Sequence, residues 1–178
     1  QYARNNPGKL NYASSGMGSG LHFAGEVFKS MGKLEMTHVP YRGSGPGMQD
    51  VMAGQCQVIF DGGAKPFIDA GKVRLLGTSS ARRDPRYPNT PAIGESTLPG
   101  YDLTYWLGLF GPKGMPREVQ MKLNAAIRTA VADPQVQTKL AAMGLHLVGS
   151  SPDELVREIR TETDKLRAIA ASIPGGVQ

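Results

Sequence analysis

The stretch Leu10-Asn-Tyr-Ala-Ser-Ser-Gly-Met-Gly-Ser-Gly-Leu-His22 constrains the fold more than any other part of the chain. Leu10 to Ala13 reads as a short strand, and Ser14 to Gly20 is almost entirely serine and glycine. An apolar stripe at helical spacing then begins with Leu21, Ala24, Phe28 and Met31. A strand that passes through such a turn into a helix leaves backbone N–H groups unpaired at the positive end of the helix dipole. That is a natural place for a carboxylate or a phosphate.

The same unit recurs. Met36 to Val39 is the next strand, running into Pro40-Tyr41-Arg42-Gly43-Ser44-Gly45-Pro46-Gly47 and a helix with Met48, Val51 and Met52 that ends at Gly54. Gln57 to Phe60 is a third strand, followed by Asp61-Gly62-Gly63, a short helix from Pro66 to Ala70 and a fourth strand from Val73 to Thr78. Alternation at this spacing predicts an α/β fold, a parallel sheet covered by helices. Gly32 is expected to close the first long helix at the C′ position. Residues 79–100 carry Pro85, Pro88, Pro91 and Pro99 and read as a surface loop and domain crossing; residues 101–110 read as extended.

Beyond Pro116 the pattern is mostly helical, with Val119, Leu123, Ala126, Ile127, Ala130 and Val131 forming one stripe. Asp133-Pro134 opens a helix that runs to Met143, and Leu145 to Val148 is a strand candidate. Ser151-Pro152-Asp153-Glu154 is a capping box. The last helix carries Leu155, Ile159, Leu166 and Ile169 and is expected to end at Pro174-Gly175-Gly176.

Composition removes several function classes. The net charge is +5, but the basic residues are scattered, and the one cluster, Arg82, Arg83 and Arg86, is diluted by Asp84 and has no interleaved aromatics. Nucleic acid is therefore not an expected partner. No apolar run approaches the ~20 residues of a membrane span. A single cysteine, Cys56, excludes an internal disulfide and a cysteine metal cage. The chain has no initiator Met and no visible signal peptide, and Gln1 is expected to enter in the middle of an element.

Catalytic and cofactor patterns fail on particular residues. A dinucleotide fingerprint would need glycine at position 21, where leucine stands, and no Gly-Lys-Ser/Thr follows the turn. A hydrolase assembled from Ser14 or Ser15, His22 and Asp61 lacks the Gly-x-Ser-x-Gly elbow. His22, His38 and His146 have no metal-ligand spacing. His22 either donates a neutral hydrogen bond to a ligand or buttresses the turn, His38 is expected inside the sheet, and His146 has no assigned role. Three turns remain, 14–20, 40–47 and 61–65, all at the carboxyl ends of parallel strands, where open α/β sheets bind ligands. They hold backbone N–H groups, hydroxyls and Tyr41, with Arg42 and Lys65 nearby. This is equipment for holding a small anion without transforming it.

On these residues the sequence resembles the Bug (TctC-like) family, the periplasmic solute receptors of tripartite tricarboxylate transport. The matching stretches are Asn6 to His22, Thr37-His-Val-Pro-Tyr-Arg-Gly-Ser-Gly-Pro46, Gly54-Gln-Cys-Gln-Val-Ile-Phe-Asp61, Ala70-Gly-Lys-Val-Arg74, Leu98-Pro-Gly-Tyr101 and Trp106-Leu-Gly-Leu-Phe-Gly-Pro112. The resemblance implies a type II, periplasmic-binding-protein-like Venus flytrap with parallel or mixed sheets. It implies a periplasmic location, a small carboxylate ligand (dicarboxylate, tricarboxylate or amino acid), permease subunits as membrane partners, and neither enzyme activity nor a cofactor or metal. Carried over, the ligand-binding residues are Ser14, Ser15, Gly16, Met17, Gly18, Ser19 and His22, then Tyr41, Arg42 and Gly43, with Asp61 at the neighbouring strand end. Residues 1–100 correspond to the second, ligand-jaw domain and 101–178 to the returning part of the first, whose opening part is expected to be missing. On that expectation the half after 101 exposes apolar surface, and the alternative is a truncated receptor acting as an interaction or self-assembling module, a possible homo-oligomer.

Overall fold

The computed structural model of the chain describes residues 1–172. It forms two compact units, residues 1–105 together with the chain from Ile169, and residues 106–168.

The first unit opens with a short helix, α1 (Tyr2–Asn5), and β1 (Leu10–Ser14). Then follow α2 (Gly20–Gly32), β2 (Met36–Pro40), α3 (Ser44–Met52) and β3 (Val58–Ile59). A 3-10 turn over Gly62–Ala64, α4 (Lys65–Asp69) and α5 (Ile93–Ser96) complete it. The three strands form a parallel sheet in the order β2-β1-β3. The α/β alternation read from the sequence is thus the architecture, with β1 at the centre and its turn flanked by the other two.

The core follows from the strand pattern. Tyr12 and Ala13 of β1 are fully buried, and Leu21, Ala24 and Val27 of α2, Met36, Met48, Leu98, Tyr101 and Leu103 close around them. The Tyr12 ring lies so close to α2 that a Cβ on Gly25 would fall inside it. Met31, read as part of the same stripe, is 40% exposed.

Three local expectations are corrected. Residues 73–78 form no strand of the sheet; Thr78 makes a single parallel bridge to Ala92. The partner segment carries Pro88 and Pro91, and a proline cannot donate to a ladder. The first long helix is closed not by Gly32 but by Lys33, at φ 49. Gly32 is the last helical residue, and a Cβ there would meet the Leu34 side chain at 2.9 Å. Residues 145–148 form no strand, lying between Gly144 and Gly149 at φ 84 and 65 with no pairing partner among the described residues.

The second unit contains α6 (Arg117–Ala132), α7 (Pro134–Ala142) and most of α8 (Pro152–Ser172). Its helix starts are those written in the sequence. Asp133 accepts from the N–H of Gln135 and Val136 at 2.7 and 3.3 Å. Ser151 and Glu154 exchange their reciprocal bonds, at 2.7 and 3.2 Å. Its stripe is not a core, however: Val119 and Leu123 are 43% and 48% exposed, and no described residue from 106 to 168 is buried. The expected end of α8 at Pro174-Gly175-Gly176 lies outside the described residues.

Candidate functional site

Alternation along β1 puts Tyr12 and Ser14 on one face, and register pairs Tyr12 with His38 of β2. The rings form a stack, with His38 4.8 Å from Tyr12 and 4.1 Å from His22. Tyr12 donates to Glu26 Oε1 at 2.6 Å, and Lys29 pairs with the same carboxylate at 2.8 Å. Burial, reinforced by Glu26, raises the Tyr12 phenol far above its ordinary pKa. Burial opposes ionisation of Glu26 too, but the bonds from Lys29 and Tyr12 outweigh it and pull that carboxyl down. Burial lowers the pKa of His22 against the pull of Glu26, and burial with the neighbouring His22 lowers that of His38. Both imidazoles are therefore neutral at pH 7.

Neutrality lets His22 hold the turn. Its Nδ1 accepts from the Gly18 N–H at 3.1 Å, which places the ring proton on Nε2, 4.0 Å from Glu26 Oε1. Ser14 is fully buried; its Oγ accepts from the Gly16 N–H at 3.1 Å and lies 2.7 Å from His38 Nε2. The Ser19 N–H donates to Gly16 O at 3.2 Å, and Ser19 Oγ caps α2 by accepting from the His22 N–H at 3.2 Å. Ser14 and His22, expected among the ligand contacts, thus lie beneath the turn, because both are the inward-facing residues of their elements. What the turn leaves without an acceptor among the described residues is the backbone N–H of Ser15, Met17, Gly20 and Leu21. Met17 is 59% exposed.

The loop after β2 is tied to this turn. Tyr41 N–H donates to Ser14 O at 3.1 Å and Gly43 N–H to Ser15 O at 3.3 Å, so the starts of α2 and α3 are neighbours. Gly43 caps α3 at φ 104, where a side chain is strained. The Tyr41 hydroxyl is turned to the interior, donating to Asp50 Oδ2 at 2.6 Å, and that bond raises its pKa. Arg42 is exposed and makes no ion pair among the described residues, whereas Lys65 is paired with Asp69 at 2.6 Å. Asp61, at the end of β3, accepts from the Gly63 N–H at 2.9 Å and orders the third turn.

Sequence reasoning misses two residues of the site. It places His38 in the sheet, but the contact with Ser14 makes this ring the support of the first turn; the register of two strands could have shown this. Tyr105 brings its hydroxyl to the Gly62 N–H at 3.1 Å, a contact across 43 residues that no local pattern encodes. The hydrolase triad does not form: Ser14 faces His38 rather than His22 and is closed to solvent. Among the described residues no cluster of three His, Cys, Asp or Glu could hold a metal, and no helix is long and apolar enough to cross a membrane.

Comparisons with known proteins bear on the family and the fold. A family model described as "Tripartite tricarboxylate transporter family receptor" matches residues 1–174. The UPF0065 protein in the tcbD-tcbE intergenic region of Pseudomonas sp. (strain P51) is 40% identical over 166 residues, which is 92% of this chain and 49% of that protein. An R. palustris protein solved with adipate superposes with a TM-score of 0.87 at 32% identity, over 97% of this chain and 58% of its own. MatC from Rhodopseudomonas palustris, solved with bound malate, gives 0.82 at 30% identity, over 94% and 59%. The periplasmic binding protein BugD gives 0.86 at 24% identity, over 97% and 59%, and shares the fold. The chain spans about half the length of most of the curated relatives it matches.

Proposed function

The chain belongs to the tripartite tricarboxylate transporter receptor family, and from that membership we propose that it forms the ligand-holding part of a periplasmic receptor for a small carboxylate. The receptor would hand its solute to permease subunits in the membrane. Residues 1–100 serve as one jaw and 101–178 as the returning part of the other domain. The observation that carries this reading is the pair of adjoining helix starts, with free N–H groups on Ser15, Met17, Gly20 and Leu21 and the exposed Arg42 in the next loop. An anion placed there meets dipoles already oriented, a gain of about 0.3–1 kcal/mol per helix end and up to ~2 kcal/mol when partly buried. In this reading Ser15, Gly16, Met17, Ser19, Arg42 and Gly43 rim the ligand site. Ser14, Gly18 and His22 hold its shape from below, Tyr41 ties the second loop to the interior, and Asp61 sets the third turn. The family's members and structural neighbours are receptors rather than enzymes.

Adipate and malate, the ligands solved with two of the neighbours, are the first probes. Isothermal titration should give saturable binding of at least one. Gly18→Val should abolish it, because Gly18 sits at φ 72, which a β-branched residue avoids. The reading is lost if neither acid binds, or if the Gly18→Val variant binds as well as the parent chain.

A further inference from the structure

Tyr105 joins two of the three turns. Its Cβ lies 3.6 Å from the position a Cβ on Gly20 would take, at the first residue of α2, and its hydroxyl accepts from the Gly62 N–H in the turn after β3. The side chain therefore spans the carboxyl ends of β1 and β3, on the flank away from β2. Glycine at position 62 makes room for it: a Cβ there would stand only 2.8 Å from the hydroxyl oxygen. The residue is nonetheless 46% exposed, so these contacts do not bury it. Burial, with Asp61 adding to it, raises the phenol pKa, so the hydroxyl stays neutral beside an anionic ligand.

The charges around the ring divide the site. Arg42 and the free N–H groups of the first turn lie on the β1 and β2 side, while the Asp61 carboxylate lies with Tyr105 on the β3 side. A ligand carboxylate is drawn to the first side and repelled from the second. We infer that Tyr105 is a specificity-determining residue of the carboxylate site, the wall on which the hydrocarbon body of the ligand rests. The inference builds on the receptor reading above and adds to it a preference for aliphatic carboxylates whose neighbouring carbons are methylenes. An aromatic ring rewards buried methylene groups and gives nothing to a hydroxyl in the same place.

Titrations of the parent chain, Tyr105→Ala, Tyr105→Phe and Gly62→Ala with adipate and with malate test it. Truncation to alanine should weaken adipate about tenfold and malate less than about twofold, the difference expected for losing contact with one or two methylenes. Phenylalanine keeps the ring and should restore most of the adipate affinity. Gly62→Ala retains the tyrosine but pushes its hydroxyl aside, and should lower the adipate-to-malate affinity ratio even if Tyr105→Ala fails to fold. An equal loss for both acids in Tyr105→Ala, or an unchanged ratio in Gly62→Ala, overturns the inference and leaves the receptor reading standing. Failure of the parent chain to bind either acid overturns both.

Discussion

His22 and His38 act on the turn through the lone pairs they keep. Protonating His22 removes the acceptor of the Gly18 N–H, and protonating both would put two cations in rings 4.1 Å apart. Glu26 faces the pair and favours the charge, Lys29 opposes it, and Tyr12 covers the other face of His38. The sign follows from the direction of the shifts. Both native pKa values lie below the free value of 6.5, so the native state holds fewer protons than the unfolded chain as acid is added. The stability gained from the neutral stack is thus complete above about pH 6.5 and is lost as pH falls towards the native values. Urea midpoints should drop between pH 7 and pH 5 with no change in slope. His38→Phe, which keeps a stacked ring but cannot titrate, should flatten that dependence; an equally steep curve would show that other groups carry it. The sequence leaves His22 open between ligand contact and buttress, and the structure adds a bond from the Gly18 N–H to its Nδ1. That contact depends on which side of a helix faces the sheet, which one glycine-rich turn does not encode.

At the scale of elements, the closest fit in the fold is between β1 and α2. The Tyr12 ring lies over Gly25, where a Cβ would clash with its Cε2. Alanine at an exposed helix site would stabilise by about 1 kcal/mol relative to glycine. Here the added methyl group meets a fully buried ring that is anchored to Glu26, so overpacking should prevail, with a net loss of about 1–3 kcal/mol. Gly25→Ala as stable as the parent in urea would refute this packing of α2. Local signals read these elements well where the interaction is itself local. The strand starts, the caps at Asp133 and Ser151 and the helix stop at Gly54 are each fixed within four residues. The errors fall where a partner is required. Residues 73–78 and 145–148 have the composition of strands, but a strand forms only if a neighbouring backbone is free to pair, and prolines in one case and the lack of a partner in the other prevent it. Lys33 rather than Gly32 takes the left-handed position at the helix end, at φ 49, and no local pattern marks it.

Across the whole molecule, burial is unevenly shared. Every buried residue among those described belongs to the first unit, while the helices of residues 106–168 carry caps and salt bridges over an exposed stripe. Each cap contributes only about 1 kcal/mol, and isolated helices shorter than about 12–15 residues are marginal in water. The nine residues of α7 fall below that length. Amides of α6 and α7 should therefore exchange through low-energy local openings, while those of β1 and α2 should require nearly global unfolding. A ligand that binds only the native first unit adds RT ln(1 + [L]/Kd), about 2.7 kcal/mol at a hundredfold excess over Kd, which slows exchange through global unfolding of that unit about a hundredfold. Native-state hydrogen exchange with and without adipate measures both effects at once. The expected pattern is slow exchange in β1 and α2 that adipate slows further, and fast exchange in α6 and α7 that adipate leaves alone. If α6 and α7 are as protected as β1 without ligand, the stripe is not a liability. If adipate protects them equally, the two units open as one.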